Sequence, residues 1–336
     1  MEQGGGSVQF SNRWLAKLIG LMAIVLPCQA YALCEVVSTS PAGFGTMSSI
    51  AARTTVQTSS TTNAGLSCTG SLASSLASDD YFYATITSAT AGAVGPTSDV
   101  IGYTLYANNS TSYPITRGVA FDFARHSIID DLGLLSNPTV AKTIPIYLST
   151  MIGSNVAAGI YSETLNIFWN WDYCHDYGGG GSCQGRDISS GSTSLTVNMT
   201  VDNDCTITAP NISFGSASVI SSFATVTGLT INLACTKGSA YTVGLDDGQH
   251  AVSVGGRRRM ISGSNYLAYD IFKSAGATRW GSISTARRAS SDAEVNPGTG
   301  LGTGSQIFNY NAKIYTDQST PPPGTYLDSV VLDVGF

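Results

Sequence analysis

A chain of 336 residues with only 11% charged side chains lies far below the about 25% of ordinary soluble proteins. Its formal net charge of -6 argues against nucleic acid or an anionic membrane as a partner, since both demand clustered Lys and Arg. Abundant Ser, Thr, Gly and Tyr leave little for long amphipathic helices, and the length suggests two domains, each able to bury its own core.

From the N-terminus, Arg13 and Lys17 precede the apolar run LIGLMAIVL (18–26) and the small-x-small triplet Ala30, Tyr31, Ala32. This predicts a secretory signal peptide over residues 1–32, its apolar run too short to span a bilayer. Cys28 would leave with it, and the even set of six cysteines that remains predicts disulfides in an exported chain. Short β-rich runs then alternate with Gly, Ser, Asn and Pro clusters: YFYATIT (81–87), IGYTLY (101–106), KTIPIYL (142–148) and GIYSETLNIFWNW (159–171). Connecting stretches at 89–102, 108–121 and 127–138 are unusually apolar. Exposed apolar clusters mark interaction surfaces, which makes Val94, Pro96, Ile128, Ile129, Leu132, Leu134 and Leu135 the candidate surface-binding side chains. For SIIDDLGLL (127–135) the alternative is a short element covering the core.

Trp169, Trp171 and Tyr173 of FWNWDY would suit a sugar platform if exposed, but are expected to finish the first core. CHDYGGGGSC (174–183) places His175 between two cysteines. That falls short of the four ligands of a structural zinc site, so a disulfide-closed loop is expected. In SLTVNMTV (194–201), Leu195, Val197, Met199 and Val201 share one face. This run either completes the first domain or opens the second.

The second half repeats the pattern with LTINLAC (229–235), YTVGL (241–245), LAYDIF (267–272) and NAKIY (311–315). Asp246 and Asp247 in LDDG suit a turn, and Arg257 to Arg259 suit a solvated strand end. The glycines of GTGLGTG (298–304) lack dinucleotide spacing and precede a strand, so a flexible loop is expected there. In GTYLDSVVLDVGF (324–336), Tyr326, Val330, Leu332, Val334 and Phe336 face one way while Leu327, Ser329, Val331 and Asp333 face the other. Period two decides for a strand. His126, His175 and His250 belong to no nucleophile or metal motif, so no enzyme, metal or cofactor is expected.

Five landmarks recur at an offset of 165 to 171 residues: Cys34 and Cys205, Phe44-Gly45 and Phe214-Gly215, Cys68 and Cys235, IGYTLY and LAYDIF, Gly159-x-Tyr161 and Gly324-x-Tyr326. Such a period marks a duplicated domain, and antiparallel β-sandwiches are its expected form. The repeat makes Cys34–Cys68, Cys174–Cys183 and Cys205–Cys235 the economical pairing among fifteen. It also exposes an asymmetry, since the first copy is followed by SLTVNMTV while the second has no such run after Phe336. The second copy is therefore expected to want a strand, which another chain would supply by β-augmentation.

The stretches DCTITAPNISFG, INLACTKGSAYTVGLDDG, RRRM, YLAYDIFKS, RWG and PPPGTYLDSVVLDVGF together resemble the spore coat protein U domain of subunits of archaic, Csu-type chaperone-usher pili. The resemblance spans both copies, and the first departs from the pattern in its extra loops and in having no donor strand ahead of Cys34. It implies two immunoglobulin-like domains, an adhesive one over residues 33–190 and a strand-accepting pilin domain over 191–336, in a subunit at a pilus tip. The implied partners are a periplasmic pilus chaperone, an outer-membrane usher, an adjacent pilin subunit that donates a strand, and an abiotic or host surface. Chaperone binding would fall to the strand bearing Tyr326, Val330, Leu332, Val334 and Phe336. A glycan-binding tip and a structural coat subunit are the rival expectations.

Overall fold

The computed structural model describes residues 33–69, 76–125, 141–177 and 181–336. The first half runs β1 (Leu33–Val36), β2 (Ala42–Ser48), α1 (Ser49–Thr54), β3 (Thr58–Thr61), β4 (Leu66–Thr69), β5 (Tyr81–Thr87), β6 (Ala93–Val94), β7 (Val100–Ile101), β8 (Tyr103–Tyr106), β9 (Pro114–Ile115), β10 (Ala120–Asp122), β11 (Lys142–Thr143) and β12 (Ile146–Thr150). Two long strands close it, β13 (Gly159–Tyr177) and β14 (Cys183–Asp202). One sheet has the order β10-β5-β13-β14-β2, and it faces the sheets β1-β4-β11 and β3-β12-β8-β9. The alternation read from the sequence decides which side is core: Tyr161, Leu165, Ile167 and Trp169 of β13 point inward and are fully buried.

After two residues, Asn203 and Asp204, the second half begins with β15 (Cys205–Thr208) and continues through β16 (Val226–Cys235), β17 (Thr242–Leu245), β18 (Arg258–Ser262), β19 (Asn265–Lys273), β20 (Arg288–Ala289), β21 (Gln306–Ile314) and β22 (Leu332–Gly335). Its sheets are β15-β16-β21-β19-β18 and β20-β17-β22. Each half encloses its own hydrophobic cluster, and the fold is all-β, a pair of immunoglobulin-like sandwiches.

Disulfides join Cys34 to Cys68, Cys174 to Cys183 and Cys205 to Cys235, the residues that the repeat pairs. Cys34 lies opposite Cys68 across β1 and β4, and Cys205 opposite Cys235 across β15 and β16, so two of the bridges cross equivalent strand pairs.

Two sequence expectations need correction. The basic run 257–259 is not wholly solvated. Arg258 is fully buried, its guanidinium 2.6 Å from Asp270 and donating to the carbonyls of Leu245 at 2.9 Å and Trp280 at 2.8 Å. A charge survives there because its partners are charged or polar on several sides. The glycine run 298–304 is held rather than free, with Gly300 N bonded to Ser239 O and Gly302 N to Cys235 O, both at 2.8 Å.

Candidate strand-acceptor slot and binding end

The two halves differ at one place that the repeat makes comparable. In the first half β14 lies between β13, to which it is antiparallel with Leu165 opposite Leu195 and Gly159 opposite Val201, and β2, to which it is parallel with Val197 opposite Ala42. Leu195, Val197, Met199 and Val201 are at most 2% exposed and belong to the first core. The run SLTVNMTV therefore completes the first sandwich, a choice the sequence left open.

In the second half the counterpart of β13 is the stretch 324–336 and that of β2 is the segment around Phe214. Between them lies a cavity of about 510 Å³, with Ile212 and Phe214 on one side, Tyr326, Val330 and Leu332 on the other, and Met260 and Tyr269 among the residues beneath. Among the described residues no strand occupies it. The consequence shows in burial. Tyr326, Val330, Leu332 and Val334 are all half-buried, whereas the matching Tyr161, Leu165, Ile167 and Trp169 of the first half are fully buried. The same alternation stands in both places, so the difference lies in what covers it. Phe336 is 54% exposed, its ring 6.3 Å from that of Tyr241. Phe214 entered the sequence reading only as a repeat landmark, and nothing singled out Ile212. The equivalence of Phe214 with Phe44 beside β14 was the signal that could have found the slot wall.

A paired carboxylate and tyrosine repeat along with the strands. In the filled first half Glu163 is buried, and its carboxylate accepts from the Tyr103 hydroxyl and from Arg117, whose Nη2 lies 3.1 Å away. Burial pushes this carboxyl up, but hydrogen bonds from Arg117, Ser88 and Tyr103 outweigh it and hold Glu163 below its ordinary value. Burial first, and Glu163 second, push Tyr103 up. In the second half Asp328 accepts from the Tyr269 hydroxyl at 2.8 Å and from Gln249 N at 3.0 Å, and it borders the open slot.

The expected surface-binding residues fall in two groups. Val94 and Pro96 sit at the end of the first domain that faces the second. Val94 pairs with Ser162 near the start of β13, and Pro96 packs against Gly159. Asp99 of the same loop lies 2.5 Å from Lys237 of the second domain. The cause is topological, because the loop leaves and re-enters the sheet beside the start of β13, where β14 ends. Ile128, Ile129, Leu132, Leu134 and Leu135, with His126, lie outside the described residues. The chain on either side of them is at the opposite end. Asp122 caps Phe82 N at 3.1 Å, Arg125 donates to Ser78 O at 3.2 Å, and Lys142 pairs with Cys68. Arg186 ties that end together, 2.5 Å from Asp172 and 2.9 Å from the buried Asp80, beside the Cys174–Cys183 bridge. Trp169, Trp171 and Tyr173 are core residues, at most 2% exposed, and offer no sugar platform.

The Spore Coat Protein U domain model matches residues 21–168 and 192–333. Among solved structures, the CsuC-CsuE chaperone-tip adhesion subunit pre-assembly complex of Acinetobacter baumannii Csu pili contains a chain 26% identical to this one. The match has a TM-score of 0.60 and covers 90% of this chain and 100% of that one. A chaperone-tip adhesin complex of CFA/I fimbriae matches at 10% identity and TM-score 0.26, over 90% of this chain and 98% of that one. A mutant form of CfaE, the CFA/I adhesin of enterotoxigenic E. coli, matches at 9% identity and TM-score 0.27, over 89% of this chain and 93% of that one. No curated protein matches the chain.

Proposed function

The chain belongs to the Spore Coat Protein U domain family, and from that premise we propose that it is the tip adhesin of an archaic chaperone-usher pilus. One observation carries the reading: the same strand slot is filled by the chain's own β14 in the first domain and stands open in the second. With its slot filled, the first domain, residues 33–190 with β14 added from the linker side, is free to present loops. The second, whose strands start at Cys205, accepts a strand from the adjacent pilin subunit. Similarity to a tip adhesion subunit over nine-tenths of the chain supports the same assignment.

Export through the periplasm follows from the signal peptide. There the stretch 326–336 pairs with an edge strand of a periplasmic chaperone, with the carboxylate of Phe336 held by basic chaperone residues. An outer-membrane usher then exchanges the chaperone for the donor strand. Burying four or five donor side chains at about 1.5–3 kcal/mol each would gain on the order of 10 kcal/mol before ordering costs, enough to decide whether the second domain persists. Ile128, Ile129, Leu132, Leu134 and Leu135 attach the fibre to an abiotic or host surface and so begin a biofilm. The role is mechanical and adhesive, without catalysis.

Immunogold electron microscopy with antibodies to residues 33–170 tests the reading on native fibres. Label confined to fibre ends is expected, and label along the shaft would overturn the tip position.

A further inference from the structure

We propose a second binding surface on the first domain, the outer face of the sheet β10-β5-β13-β14-β2, whose partner is a neutral polysaccharide chain. The burial of Trp169 and Trp171 puts their strand neighbours on the other side. Phe168 is 44% exposed, and it lies opposite Thr85 of β5 and Ser192 of β14. Two positions along β5, Tyr83 is 36% exposed and faces Asn170. Its ring stacks on Tyr81 with centroids 4.6 Å apart. Diagonal neighbours on one sheet face come within reach of aromatic side chains, so Phe168, Tyr83 and Tyr81 form one apolar strip.

The surroundings of the strip choose the partner. Outward positions from Tyr83 to Thr87 on β5, Ser162 to Asn170 on β13 and Ser190 to Thr200 on β14 carry hydroxyl, amide and aromatic groups and no charge. Asp122 and Asp172, the cross-strand partners of Tyr83 and Tyr81, are already paired, with Arg125 and Arg186. A charged partner would lose its hydration here without compensation, and a purely apolar one would strand the Ser, Thr and Asn groups. A neutral polysaccharide matches both features, since its sugar rings have apolar faces to stack on the aromatic strip and hydroxyl edges to exchange hydrogen bonds with the amide and hydroxyl rows. The two long strands, 19 and 20 residues, supply a continuous track for an extended chain. This surface runs along the side of the domain, separate from the loops at its far end.

The test is retention of the purified full chain on microcrystalline cellulose. Retention should persist up to about 1 M NaCl, because no ion pair is involved at a Debye length of about 3 Å. Tyr83→Ala with Phe168→Ala should weaken retention by about tenfold or more, and Phe168→Trp should keep it. Thr164→Lys, an exposed change on the same face, should also weaken it, so a loss does not rest on the aromatic variant's folding. Attachment to polystyrene should not change in any of these variants. The proposal is overturned if the wild-type chain is not retained, if retention is lost in high salt, or if Leu134→Ser with Leu135→Ser removes it while the sheet-face variants do not.

Discussion

Glu163 shows how one residue converts position into stability. It sits on the inner face of β13 opposite Val197, and Tyr103 and Arg117 make its burial tolerable. Its folded pKa is depressed. Its contribution is therefore present above the unfolded carboxylate value of about 4.3 and is lost as pH falls through the lower folded value. Glu163→Gln should cost about 1.5–3 kcal/mol near neutrality and remove that part of the acid destabilisation. Urea titrations at several pH values, followed by tryptophan fluorescence, would read both effects; a variant curve parallel to wild type down to low pH would refute the assignment. Arg258 makes the same point in the second core. Arg258→Ala would leave the fully buried Asp270 to Arg279 and the Tyr315 hydroxyl and would take the donor from the carbonyls of Leu245 and Trp280, and should cost about 1–3 kcal/mol, read as an early transition in guanidinium.

At the scale of the element, the strands at 159–171 and 324–336 are near copies that differ in cover. Leu195→Ala in β14 removes a fully buried side chain from a filled slot and should cost about 2–5 kcal/mol. Val330→Ala, in the half-buried strand beside the open slot, should cost less than about 1.5 kcal/mol in the chain alone. Equal costs by chemical denaturation would mean that the slot is already covered. The single period-two pattern of each strand also accounts for where the aromatics go: in FWNW the odd-numbered residues enter the core and Phe168 emerges on the outer face.

For the whole molecule, the junction decides whether the domains move as one. Only Asn203 and Asp204 separate β14 from β15, and polar contacts brace the joint. The Ser49 and Thr236 hydroxyls lie 2.7 Å apart and buried, Arg53 donates to Gly302 O at 2.7 Å, and Asn155 donates to Leu301 O at 3.1 Å. Gly302 has φ +76°, and a side chain there would run into the Asn155 amide. Gly302→Val should therefore loosen the joint and raise the radius of gyration in solution scattering, with β13 and β14 of the first domain unfolding as before. Lys237→Ala alone should change little, because a half-exposed pair is worth about 0.2–1 kcal/mol. An unchanged radius in Gly302→Val would show that the two-residue linker sets the arrangement without help.

Local pattern and repetition made the β class, the two copies, the disulfide partners and the alternating faces of the last strand legible in the sequence, because each depends on spacing along the chain and on a period of two. Whether Leu195 to Val201 serves the first core or the second was not legible, since an alternating strand fits either slot and only the pairing with β13 and β2 distinguishes them. Nor could composition show that the loop of Val94 and Pro96 turns toward the second domain, or that Arg258 lies inside it. Those outcomes depend on which distant segments meet, Arg258 with Asp270 and Trp280, and Asp99 of the loop with Lys237.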